Sequence, residues 1–187
     1  MIDGMQEVFD SGVSRASTTL DETPSGDQIA CELHRLGIRH LSWAGDTVPG
    51  SFTTTSLLVG LAASPDARLR NALVPLFILR TEYGDAVPGA AEELSERSRV
   101  HLACAYSAAV VLQESYGPHM AGAPNDDRKL EDHFADELGL PATAVADVRL
   151  AAIADRHARL SGEDLNWSGT YRHAVESCLR FVDKIAG

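Results

Sequence analysis

Two arginine–histidine pairs, Arg35…His40 and Arg128…His133, each have four residues between their members. That Arg-x4-His spacing suits metal-independent RNA cleavage on a helix. The histidine would move protons as general base or acid, and the arginine would hold the phosphate through its planar fork of donors. Fourteen arginines and seven histidines in 187 residues produce roughly one to two such pairs by chance over spacings of four to six, so the two observed carry no statistical weight. Arg128…His133 is the better of the two, because it lies in the amphipathic pattern NDDRKLEDHFADELGLP with Asp132 beside the histidine. The plain alternative is a solvated helix face with Lys129 and His133 at i,i+4, and the chance count favours it.

Other chemistries find less support. The histidines, at 34, 40, 101, 119, 133, 157 and 173, include no two that are three or four residues apart, and no two cysteines are close. The usual zinc spacings are therefore missing. Glu-x-x-His, the helical di-iron signature, is missing too. The acidic cluster Asp126, Asp127, Glu131, Asp132, Asp136 and Glu137 could attract a hard cation. Its first members are better read as a helix cap, and the rest as a face turned to water. GDTVPGSF places Gly45 and Gly50 at the phosphate-loop interval, but Ser51 stands where a lysine is needed. The same Gly-Ser lacks the acidic pair that would bind magnesium in a nucleotidyltransferase. No serine sits in Gly-x-Ser-x-Gly. No cofactor and no metal are expected.

The chain carries 27 acidic against 16 basic residues, a net charge of −11. This argues against direct nucleic-acid binding through phosphate neutralisation, and leaves solubility or a basic protein partner as its use. Cys31, Cys104 and Cys178 are far apart and lie in apolar helical patterns, as buried thiols of a reducing compartment would. The first twenty residues contain no apolar signal core. A cytoplasmic, bacterial protein is expected. Its length suits one domain, read as a flexible polar arm at 1–26 and a helical domain at 27–187.

The elements that must position these residues are helical. Asp27 is the expected cap of a helix that Gly37 ends. A turn-rich connector follows, with a possible extended piece at 38–43. Threonines 53–55 lead into a short helix. SPDARLRNAL is a strong start signal, with Ser64 as cap and Pro65 in the first turn. Pro75 should kink that helix or divide it. The apolar run from Ala72 to Leu79 is far short of the roughly twenty residues a membrane span needs, so no membrane contact is expected. A short helix should follow Pro88. Residues 98–116 are apolar nearly all round, the mark of a central buried helix. Helices at about 126–138, 143–160 and 164–185 complete an all-α bundle of six to eight helices. Leu73, Leu76, Phe77, Tyr106, Trp167 and Tyr171 are the expected core or partner-facing side chains.

The run SPDARLRNALVPLFILRTEYGDAVPGAAEELSERSRVHLACAYSAAVVLQ resembles small helical bacterial proteins that pair with a nucleotidyltransferase-like protein in toxin–antitoxin-like modules. The resemblance covers roughly 55–116 and a little of 128–185. It rests on the spacing of Arg70, Asn71, Leu73, Leu79, Tyr106 and Gln113 and includes no catalytic motif. It implies a non-catalytic, antitoxin-like or scaffolding subunit with a protein partner; a homo-oligomer is a separate alternative. The alternative is the RNase built on Arg128 and His133.

Overall fold

The structure is a computed structural model that describes residues 24–39, 41–42, 47, 50–116, 128–141 and 143–186, with the backbone alone for 181–186. The fold is all-α, and the described residues contain no strand. Residues 1–23 of the expected arm, His40 and most of the 43–49 connector lie outside the described residues, as do Asn125, Asp126 and Asp127. Among the described residues no helix is long and apolar enough to cross a membrane.

Helix α1 (Gly26–Arg35) starts one residue before the expected cap. Ser25, not Asp27, closes the end. Its Oγ accepts from the Gln28 amide while Gln28 Oε1 accepts from the Ser25 amide at 2.9 Å. This reciprocal pair satisfies two amides at once, which Asp27 inside the first turn cannot do. Gly37, at φ 102°, stops the helix. The Ile38 amide reaches back to Leu33 O at 2.8 Å and the Gly37 amide to His34 O at 3.1 Å, the paired closure that a left-handed residue allows.

Thr53 caps α2 (Thr54–Ala63) by accepting from the Ser56 amide. Helix α3 (Ala67–Asn71) is capped by Asp66, which accepts from the Arg68 amide at 2.8 Å. Ser64, the expected cap, instead accepts from the Asp66 amide and so supports the cap from two residues earlier. The chain divides at Ala72, and α4 (Leu73–Leu79) follows with every residue buried. Pro75 is the third residue of α4, so the break falls before it. A first-turn amide has no acceptor within its own helix, so a proline is tolerated there. A 3₁₀ turn at Thr81–Ala86 leads into α5 (Val87–Glu93).

Helix α6 (Glu96–Tyr116) is the centre, buried from His101 to Ala109 and at Val111 and Leu112. It packs chiefly on α4 and on α7 (Ala146–Ser161), with α2, α5 and α8 (Trp167–Ala186) completing its surround. Gly162, at φ 71°, ends α7. Asn166 Oδ1 accepts from the Gly169 amide at the start of α8.

The helix expected from about residue 126 does not extend through 128–132, and 133–139 forms turns. Side chains of α6 have taken the backbone groups that a helix would use. Gln113 donates to Arg128 O at 2.9 Å and accepts from the Leu130 amide at 3.0 Å. Tyr106 Oη donates to Glu131 O at 2.8 Å. Leu130, Phe134 and Leu138 still reach the core, and Gly139, at φ 64°, closes the last turn.

Candidate functional site

Arg128 and His133 line one small pocket of about 90 Å³, with Thr81, Gly84, Asp85 and Tyr106 among its walls. The exposed His133 ring lies parallel to Tyr106, with centroids 5.4 Å apart. The Arg128 fork is occupied. Nη1 donates to Asp85 Oδ2 at 2.8 Å, and Nη2 donates to the other oxygen. This contact holds the Asp85 carboxyl below its usual range. A phosphate would have to displace Asp85 before Arg128 could hold it. The other pair does no better, because Arg35 is bound through two nitrogens to Glu32, at 2.9 and 2.6 Å.

Two members of the acidic cluster, Asp132 and Glu137, are engaged in structure. Asp132 Oδ1 accepts from Ser107 Oγ at 2.7 Å and from the Phe134 amide at 3.1 Å, and Arg149 approaches its second oxygen at 3.4 Å. Glu137 pairs with Arg99 at 2.7 Å. Among the described residues no group of three or more His, Cys, Asp and Glu side chains is placed to hold a metal ion.

Leu73, Leu76, Phe77, Tyr106, Trp167 and Tyr171 are all buried within this chain. Phe77 meets Tyr106 edge-to-face, with centroids 4.9 Å apart, the arrangement that aromatic quadrupoles favour. Cys104 and Cys178 are buried thiols, pushed up by burial to about 12 and about 11. The reactive thiolate is therefore suppressed at both. Cys31 is only half-buried.

The sequence reading missed a polar line through the core. His101 on α6 and His157 on α7 are 5% and 2% exposed, and His101 Nδ1 lies 2.8 Å from His157 Nε2. His157 Nδ1 lies 2.6 Å from the Tyr171 hydroxyl on α8, and Trp167 stacks on the His157 ring at 3.6 Å. Burial pushes His157 down to about 3, helped by His101 and Arg70. His101 is also lowered, by burial and then by Arg70, with Glu163 opposing. Burial raises the Tyr171 hydroxyl well above its ordinary value. One signal was available. His157 follows Leu150, Ile153 and Ala154 at helical spacing, which puts it on the buried face of α7.

A groove of about 510 Å³ runs between α3 and the first half of α8. Its polar walls are Arg68, Asn71, Asn166, Thr170, His173 and Ser177, with Leu41 and Ala174 as apolar contributions. Leu41 and Arg68 also border a neighbouring hollow of about 250 Å³ against α1 and α2. The groove is built on anchored elements. Leu69 of α3 and Trp167, Tyr171, Val175 and Cys178 of α8 are buried.

No protein-family model matches the chain, no curated protein is significantly similar to it, and no solved structure matches it.

Proposed function

We propose that this chain is a non-catalytic protein-binding subunit whose partner engages the groove between α3 and α8. The groove carries the reading. It offers donors and acceptors from two helices that are anchored in the core, which suits a polypeptide ligand recognised by several polar contacts around a small apolar floor. The net charge of −11 favours a partner with a basic face, because complementary fields speed encounter. The sequence resemblance supplies the candidate, a nucleotidyltransferase-like protein, held in an antitoxin-like or scaffolding complex.

Co-expression and size-exclusion chromatography test the proposal. The two proteins are expected to co-elute, and Thr170→Arg and His173→Arg in the groove, which set bulk and positive charge against a basic partner, are expected to weaken the complex at least about tenfold. Failure to co-elute removes the proposed partner. Co-elution that ignores both substitutions moves the interface elsewhere.

A second reading, a metal-independent RNase, is kept by one observation: Arg128 and His133 line the same pocket beside Tyr106. Against it stands the occupation of Arg128 by Asp85. With Glu131 and Asp132 also nearby, an approaching phosphodiester meets an acidic surround.

A further inference from the structure

His101, His157 and Tyr171 form one unbranched chain of hydrogen bonds from α6 through α7 to α8, and proton counting gives it a direction. Tyr171 keeps its proton, and among the described residues its hydroxyl meets no acceptor other than His157 Nδ1. The hydroxyl therefore donates to that nitrogen. A neutral imidazole has one donor and one acceptor, so His157 carries its own proton on Nε2 and donates to His101 Nδ1. His101 then keeps its proton on Nε2. The opposite direction would leave the Tyr171 hydrogen buried without a partner, which native cores avoid.

We propose that this chain is a proton-operated latch: it holds the first turns of α8 against α6 and α7 while both histidines are neutral, and releases them when a proton enters at His101. The three residues share three protons when the latch is closed. A fourth, taken from solvent on His101 Nδ1, faces the His157 Nε2–H, and two donors meet. The contact survives only if His157 holds its single proton on Nδ1 instead, donating to Tyr171 Oη. The Tyr171 hydrogen is then orphaned between α7 and α8. Either outcome loosens Tyr171, and with it Trp167, whose ring stacks on His157.

The neighbours set the direction of the response. Arg70 from α3 and Arg97 from α6 disfavour an added proton, while Glu163, in the connection between α7 and α8, favours it. Glu163 Oε1 lies 3.5 Å from Arg70 and 3.2 Å from Arg97, so its charge is largely answered. Cys104 on α6, near Tyr171, is a neutral thiol. Val74, from α4, brings no charge to the small cavity beside the chain. The closed state therefore resists protonation. An opened state that returns His157 to an ordinary value near 6.5 gains up to about tenfold per pH unit below it.

Two measurements on the full chain test the latch. Nitrogen-15 NMR of the histidine rings at pH 7.5 is expected to find His157 as the Nε2–H tautomer, and the Nδ1–H form would overturn the assigned direction. Amide exchange, corrected for its intrinsic pH dependence, is then followed from pH 6.5 to pH 5. Protection over residues 167–178 is expected to fall about fifteenfold, as one histidine released over that interval requires, while α2 stays better protected than α8 at every pH. In His157→Gln the fall in α8 is expected to shrink at least tenfold. Protection in α8 equal to that in α2 at every pH, or a fall that His157→Gln leaves unchanged, would overturn the latch. Because the tautomer is read in the unaltered protein, the proposal stays testable even if the variant fails to fold.

Discussion

Phe77 and His133 both meet Tyr106, with opposite consequences for substitution. Phe77 is fully buried, with its ring edge-on to Tyr106. Phe77→Ala removes most of a ring from a packed interior and is expected to cost about 3–5 kcal/mol. Urea unfolding measures this, and a loss under about 1 kcal/mol would mean that Phe77 is not core. His133 is exposed and its ring lies parallel to that of Tyr106, so its removal disturbs little packing. If the chain only binds a partner, His133→Ala leaves the complex and every other activity intact. If it cleaves RNA, the same change removes a proton-transfer group and slows cleavage by roughly 10²–10⁴-fold. We expect no effect, because Arg128, the phosphate-holding half of the pair, is engaged by Asp85. Nuclease-free protein assayed on RNA with and without the substitution decides between the readings.

At the scale of the element, Pro75 shows how position changes a residue's meaning. In the middle of a long helix a proline costs about 3 kcal/mol or more. Here the chain divides at Ala72 and Pro75 enters the first turn of α4, where its missing amide leaves no bond unmade. Pro75→Ala is therefore expected to change stability by less than about 1 kcal/mol, well below the mid-helix figure. Thermal unfolding of the variant checks this. A gain of several kcal/mol would show that proline strains the α3–α4 junction. The segment at 128–132 makes the complementary point. Its hydrophobic spacing is helical, yet Tyr106 and Gln113 bind its backbone in a non-helical course. A few tertiary hydrogen bonds outweigh the small propensity differences among ordinary residues.

For the whole molecule the buried histidines make acid a destabilising condition. His157 is held neutral in the fold, near 3, against about 6.5 when unfolded. Between those values the unfolded chain binds the extra proton. Stability is therefore full above about pH 6.5 and declines as pH falls toward 3, by up to about 1.4 kcal/mol per pH unit for this one group. The urea midpoint is expected to drop between pH 6.5 and pH 5, above the range in which ordinary carboxylates titrate. A midpoint that is level over that interval would mean that His157 is not buried as a neutral ring. The same histidines join α6, α7 and α8, and α8 forms one wall of the proposed binding groove. Loss of the core line would therefore disturb the groove.

Sequence by itself determined the features whose causes are local. The all-helical class follows from the 3.6-residue recurrence of Leu, Ala and Val. The central place of α6 follows from an apolar surface on every side. The stops at Gly37 and Gly139 follow from glycine's access to positive φ. The burial of Leu73, Leu76, Phe77, Tyr106, Trp167 and Tyr171 follows from large apolar bodies at helical spacing. Capping lay at the edge of legibility: Ser25 and Asp66 replaced Asp27 and Ser64, because several competent residues adjoin each helix start and backbone geometry selects among them. Only the tertiary structure decided the rest. Asp85 meets Arg128, and His101 meets His157 and through it Tyr171. These partners lie far apart in the chain, so no spacing rule along it brings them together. Packing of α6 against its neighbours does, and it leaves each buried polar group needing the partner that the fold happens to place beside it.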